Sequence, residues 1–304
     1  MYFLASILMD PELGRVVGKK GSENSIIYYN GSYFENHITV LSPTSVEDKV
    51  YAVCESIILS DIVIISTKRV DKYLAEALLA CSIAKKETVL TNDNDISDLV
   101  KGTPLSDSKV VKSESLPSVI ASSKPAESGP EARIDIDKAF AVKGVGTVLL
   151  GIVTSGKVSV HDKLILSSSG KEVMIRSIQS NDIDIESAEV NTRVGLAVKG
   201  VEADQVEKGD VLSSKRLVPC RAITAKVDTI KINEEEILRG KAYMFVSNFS
   251  YTTAYVDSFE NGHISLRLDK PLSVEVGDSI MLTRVTMPRI FCYGTVLATD
   301  HSHP

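Results

Sequence analysis

Lys143-Gly144-Val145-Gly146-Thr147-Val148-Leu149-Leu150-Gly151-Ile152-Val153 opens the stretch that decides the fold. Ser155-Gly156-Lys157-Val158 and Val160-His161-Asp162-Lys163-Leu164 follow it, and after a gap Arg193-Val194-Gly195-Leu196 and Val206-Glu207-Lys208-Gly209-Asp210-Val211-Leu212. The apolar runs are short, β-branched and broken by Gly, Asp and Lys, with no three-to-four spacing sustained long enough for a helix. Such text reads as short strands joined by tight turns, which is how a β-barrel or sandwich is written. Gly144, Gly146 and Gly156 permit tight turns or close strand packing, and Lys208-Gly209-Asp210 supplies a turn ahead of a closing strand.

Downstream the same texture pauses at Leu217-Val218-Pro219 and resumes through Arg221–Val227, Ala242–Val246, Thr253–Val256, Gly262–Leu268, Ser279–Arg284 and Thr295–Ala298. Two consecutive β domains are expected, residues 131–216 and 217–304. Upstream, Ser113–Pro130 is rich in Ser, Pro, Glu and Lys and reads as an interdomain linker.

Residues 1–112 read differently. Phe3–Leu8, His37–Leu41, Asp61–Ser66 and Glu87–Thr91 are short apolar runs suited to strands buried on both faces. Between them Val46–Leu59 and Val70–Ala84 place apolar residues three or four apart, as amphipathic helices do. Alternation of this kind predicts an open, largely parallel α/β sheet. The first run lacks the basic flank and cleavage site of a leader and reads as a buried strand.

The order and spacing of residues 134–213 resembles the second domain of translational GTPases of the EF-Tu/SelB type. The motifs that carry it are Lys143–Val148, Gly151–Val153, Ser155–Val158, Val160–Leu164, Arg193–Leu196, Lys199–Val201 and Val206–Leu212. Val276–Ile280 and Pro288–Val296 are similar to the closing strands of a SelB-type third domain. The resemblance implies a multidomain α/β plus β chain: a degenerate P-loop-GTPase-like α/β domain, then two EF-Tu-like β-barrels. It is archaeal-like in overall character.

By that order residues 1–112 stand where a G domain grips phosphate with GxxxxGK[ST]. Here the first strand runs into Met9-Asp10-Pro11-Glu12-Leu13-Gly14-Arg15-Val16. Aligned on Gly14, the family's first glycine is Met9, its lysine Arg15 and its hydroxyl residue Val16. Pro11 removes a backbone donor, and Asp10 and Glu12 bring negative charge. Gly14–Ser22 holds Gly, Lys and Ser at the wrong spacing and reads as a solvated basic turn. The family's Asp-x-Pro-Gly-His switch survives only as Pro43 in Leu41-Ser42-Pro43-Thr44-Ser45. Its guanine-reading Asn-Lys-x-Asp survives as Asn92 and Asp95. Gly14, Asn92 and Asp95 are therefore the remnant nucleotide-site candidates.

The resemblance also implies contact with the small ribosomal subunit and the charged tRNA end, and sets Asp137 and Arg193 at positions resembling an aminoacyl pocket. Arg193 there is a candidate clamp for a carboxylate or phosphate, or one half of a surface ion pair.

Composition removes other classes. A net charge of −6 over 304 residues gives no compositional argument for nucleic acid, and none points to DNA. No run of 18 apolar residues occurs, so no membrane partner is expected. Cys54, Cys81, Cys220 and Cys292 are scattered and read as reduced, buried thiols of a cytoplasmic protein. His301 and His303 read as tail residues and not a metal site. No G-x-S-x-G or HExxH occurs, so no catalytic residue is named. The expectation is a pseudo-GTPase without cofactor, binding tRNA, ribosome or a translation factor. The alternatives are an active GTP-binding elongation factor with an altered loop, which needs GTP and magnesium, and a protein-interaction scaffold away from translation.

Overall fold

The computed structural model describes residues 1–230 and 237–301. The first unit is a sheet of β1 (Tyr2–Leu8), β2 (Lys19–Glu23), β3 (Ile26–Tyr33), β4 (Asn36–Pro43), β5 (Ile62–Ile65), β6 (Glu87–Thr91) and β7 (Lys109–Val111), with helices α1 (Val50–Leu59), α2 (Lys72–Ala84), α3 (Ser97–Val100) and α4 (Leu116–Ala121). Strand order is β2-β3-β4-β1-β5-β6-β7. The five strands from β4 to β7 are parallel, and β2 and β3 add an antiparallel hairpin at one edge. β1 is apolar along both faces because sheet neighbours and helices cover both.

Local turn bonds set where α1 and α2 start. α2 begins at Lys72, two residues after the predicted Val70, because the Asp71 carboxylate accepts from the Tyr73 and Leu74 amides and fixes the first turn. α1 begins at Val50 and not Val46, since the Ser45 hydroxyl holds the Glu47 and Asp48 amides in a turn first.

The expected linker over 113–130 is corrected in its first half. Leu116 and Ile120, four residues apart on α4, are fully buried in the sheet's core beside Phe3, Ile27 and Ile38. Two apolar side chains at helical spacing outweigh the Ser- and Pro-rich composition around them. The β2–β3 hairpin is a second correction: Lys19–Glu23 is an edge strand and not a basic turn.

The first barrel contains β8 (Arg133–Val142), β9 (Gly146–Ser155), β10 (Lys157–Ser159), β11 (Lys163–Leu166), β12 (Glu172–Ser180), β13 (Ile183–Ile185), β14 (Ser187–Glu189), β15 (Arg193–Lys199) and β16 (Val211–Ser213). Pairing of β11 with β12 closes the ring β11-β16-β8-β9-β15-β12, and β13 adds to its edge. The second barrel is the closed ring β17-β20-β19-β18-β21-β22, made of β17 (Cys220–Thr229), β18 (Ala242–Ser247), β19 (Ser250–Glu260), β20 (His263–Leu272), β21 (Ser279–Thr283) and β22 (Ile290–Thr299). Closure leaves the second ring without open edges, and β13 remains as a short edge strand beside the first.

The three units share cores. Val246, Met281 and Ile290 of the second barrel sit in one apolar cluster with Val53, Ile57, Leu74 and Leu78 of α1 and α2. Ile152 of the first barrel and Phe249 of the second join Leu4, Tyr28 and Leu59 in another. Between the barrels, Arg133 donates to Glu275 at 2.7 Å and Asp278 at 2.8 Å, and it also pairs with Asp135. Among the described residues no helix is long and apolar enough to cross a membrane, and no cluster of three or more His, Cys, Asp or Glu side chains forms a metal site. His303 lies outside the described residues.

Candidate functional site

The strand ends β1, β4, β5 and β6 converge where a parallel α/β sheet presents its ligand cleft. The chain leaves β1 through Met9, in the left-handed region at φ 76°, and folds directly into a 3-10 turn over Pro11–Val16. Its amides are engaged locally: Glu12 donates to the Asp10 carboxylate, Leu13 to the Asp10 carbonyl, and Val17 and Gly18 to the Gly14 carbonyl. An anion arriving there meets two carboxylates and few free N–H groups. Asp10 lies 3.6 Å from Lys68 of the loop after β5, and Glu12 pairs with Arg15.

Gly14 is buried, and its role is steric. A Cβ on it would lie 2.2 Å from the Tyr29 ring, which is itself fully buried under the turn. The glycine lets the turn close onto the hairpin.

Asn92 and Asp95 follow β6, two strands away from β1 in the sheet. The Asn92 amide bonds the Val111 carbonyl, and its side chain is exposed. The Asp95 carboxylate accepts from the Ser97 amide at 2.9 Å at the start of α3, and this bond holds its pKa below the ordinary range. The residue that does bridge the cleft is Asn94, unremarked in the sequence. Its Nδ2 donates to the carbonyls of Thr67 at 2.8 Å and Lys68 at 3.1 Å, and its amide donates to Thr67 Oγ1. The structure thus ties the β5 and β6 loops to each other. The hollow beside Asn94 and Asp95 is about 120 Å³ and lined largely by Leu90, Ile96, Val100 and Leu105. Ligand pockets usually exceed about 300 Å³.

Asp137 and Arg193 do meet. Arg193 Nη2 donates to Asp137 Oδ2 at 3.1 Å, and both side chains are more than nine-tenths buried. The expectation of an open pocket or a surface ion pair is corrected here, because the β2–β3 hairpin lies over the pair. Ser22 Oγ accepts from Arg193 Nη2 at 2.9 Å, Asn24 Nδ2 donates to Asp137 Oδ1 at 3.1 Å, and the guanidinium stacks 3.3 Å from the Tyr28 ring centroid. Sequence separations beyond 100 residues hid this cover.

A third feature was missed altogether. On the outer face of the first barrel, Phe140 pairs with Val148, Val148 with Ala197, and Ala197 with Ser177. The next row is Lys138, Leu150, Gly195 and Gln179. Around this half-buried apolar strip stand the exposed Lys138, Lys143, Arg176 and Lys199. Arg176 reaches the Val145 carbonyl and Lys138 faces the Phe140 ring. Among the described residues no carboxylate pairs with any of these four; Asp184, at the strip's margin, is bonded to Gln179 instead. Paired-strand register would have revealed the grouping, but the sequence alone scatters it.

Comparison with known proteins agrees with this architecture. Residues 146–213 match the family model for elongation factor Tu domain 2. An uncharacterized protein of Methanocaldococcus jannaschii is 27% identical over 279 residues, which is 89% of this chain and 91% of that one. The selenocysteine-specific elongation factor of the same organism is 27% identical over 191 residues, 54% of this chain, and the match spans only 41% of that longer protein. In fold, the crystal structure of translation elongation factor SelB from Methanococcus maripaludis, in complex with the GTP analogue GppNHp, superposes with a TM-score of 0.84 at 18% identity, covering 98% of this chain and 79% of that one. The chain thus carries an elongation factor Tu domain 2 and is similar to a selenocysteine-specific elongation factor across more than half its length.

Proposed function

We propose that this chain is an elongation-factor-like binding protein of the translation apparatus that works without binding or hydrolysing GTP. One observation carries the reading: the turn after β1 is folded shut, with Gly14 packed onto Tyr29, Arg15 and Val16 in place of the lysine and hydroxyl that hold a magnesium nucleotide, and the carboxylates of Asp10 and Glu12 beside them. The Asn94 bridge supports it by closing the β5 and β6 loops together. The residues present do not fit a triphosphate, so no chemical step is assigned to them. Binding alone remains as the activity.

The partner class is an RNA-bearing component of translation, whether tRNA, ribosome or a factor bound to it. The four cations around the Phe140–Val148 strip, without a carboxylate partner among the described residues, supply the charge for phosphate, and the strip supplies apolar contact. The relatives named for elongation are consistent with that partner.

Titration calorimetry with GTP and GDP in the presence of magnesium tests the nucleotide half: no heat of binding is expected, and a micromolar or tighter constant overturns it. Co-sedimentation with ribosomes and tRNA retention on a filter test the partner half. Retention of neither, with only proteins captured, favours a scaffold instead.

A further inference from the structure

Helix α1 is enclosed between the sheet and the barrels, and it carries one acid. Glu55 is fully buried. Its Oε2 accepts from Lys208 Nζ at 2.8 Å, across the seam between the α/β domain and the first barrel. Its Oε1 has no partner among the described residues. Lys208 stands in the turn before β16 and is partly exposed, with its ammonium 5.8 Å from the Tyr51 ring centroid and 5.6 Å from that of Phe249. The other charged or titratable groups facing this carboxyl are Asp137 on β8, Tyr28 on β3, Arg193 on β15 beyond it, and Cys54 on its own helix. Tyr28 Oη and Arg193 Nη1 are also buried without partners among the described residues. Three orphaned polar atoms thus gather along one seam.

We propose that Glu55 is a proton-operated latch: protonated, it lets the α/β domain sit firmly on the barrels, and ionised, it loosens the seam that covers Asp137 and Arg193. A carboxylate removed from water needs several donors to offset its lost hydration, and here it has one. Opening the seam would return it to water. The proton on neutral Glu55 is held without demanding that compensation.

Burial raises the Glu55 carboxyl from its ordinary 4.5 to about 7; Lys208 lowers it and Asp137 raises it further. The docked form therefore binds more protons than the open form between these values. The associated stabilisation is complete below the ordinary value, declines as pH rises through the window, and is lost above about 7.

The chain contains no tryptophan, so one can be placed as a reporter. Tyr251 on β19 of the second barrel stacks on Tyr51 of α1 at 4.7 Å beside this seam, where the Lys208 ammonium also lies near the Tyr51 ring, and Tyr251→Trp puts a single emitter there. Urea opening of the full chain would be followed by that emission from pH 5.5 to 8.5. At fixed urea the open-to-docked ratio should rise roughly tenfold per pH unit and flatten above about 7. Adding Glu55→Gln, a permanently neutral side chain, should abolish that rise. Adding Lys208→Met instead should move the flattening to higher pH, because the cation favouring ionisation is gone. A profile unchanged by Glu55→Gln, a flat profile in the reporter protein itself, or no displacement with Lys208→Met overturns the latch.

Discussion

Arg289 of the second barrel closes on Glu76 of α2 with its whole guanidinium edge. Nη2 donates to Oε2 at 2.6 Å, Nε donates to both carboxylate oxygens, and the Arg289 amide bonds Oε1 as well. The remaining donors reach the carbonyls of Val46 and Glu47, in the loop leading to α1. One residue thereby joins the barrel, a helix and the loop that stands where a switch segment is expected from the family resemblance. Both side chains are nearly buried, at 13% and 5% exposure. Cutting one partner leaves the other charge uncompensated, which costs about 3 kcal/mol. Arg289→Ala should therefore lower unfolding stability by about that amount in a urea melt. The Glu76→Gln/Arg289→Met double variant should recover part of it. A loss below about 0.5 kcal/mol in the single variant would show the contact to be incidental.

Gly14→Ala separates a steric glycine from a phosphate-binding one. The added methyl meets the Tyr29 ring at 2.2 Å, and the ring has no room to retreat. Overpacking of this kind costs about 2 kcal/mol. The same substitution in a Tyr29→Leu background should cost clearly less, because the obstructing ring is gone and the two changes interact. Equal costs in both backgrounds, read from guanidinium melts, would remove the packing explanation for Gly14.

These residues also show where the sequence was legible. β1, β4, β5 and β6 were readable because an apolar run buried on both faces has few alternatives. The barrels were readable from spacing of turns, and the loss of the phosphate motif from residue identities alone. The β2–β3 hairpin was not, although Ile26-Ile27-Tyr28-Tyr29 is a plain apolar run. The adjoining Gly14–Ser22 carries Gly, Lys and Ser like a phosphate-loop remnant, which masks the strand pattern beside it. Helix α4 was lost because Ser and Pro dominate the composition while Leu116 and Ile120 alone decide burial. Asp137 and Arg193 stand in the sequence as pocket-like positions, but what covers them comes from Ser22, Asn24 and Tyr28, and no local pattern encodes that contact. Asn94 was passed over for Asn92 because the motif spacing favoured the latter, while the folded loops use the former.

The four thiols should be inert in the native protein. All are free and buried. Burial raises Cys81 to about 12 and Cys220 to about 11, and lifts Cys54 and Cys292 as well. Since the thiolate is the reacting species, its fraction at pH 8 falls by two or more orders of magnitude from that of a free thiol, roughly in step with the shift. Ellman's reagent should release almost no colour in minutes from the folded chain and four equivalents after denaturation. Rapid titration of any native thiol would place an opening fluctuation near that residue.

Lys138, Lys143, Arg176 and Lys199 bear on the choice between an RNA partner and a purely protein one. Each cation that neutralises a phosphate releases counterions, so affinity falls with salt, at a slope of about 0.7 to 0.9 per contact. If all four engage, the logarithmic slope of RNA binding against salt should be near −3. Lys138→Gln with Lys143→Gln should weaken binding at low salt and flatten that slope by roughly 1.5. Both side chains are exposed and have no carboxylate partner among the described residues, so the fold should be unaffected, within about 0.5 kcal/mol. Phe140→Ala tests the apolar strip separately: it should reduce affinity at every salt concentration and leave the slope alone, since it removes contact and no charge. A slope unchanged by the double lysine variant would move the RNA contact off this face, and salt-independent binding would argue that the partner is not RNA.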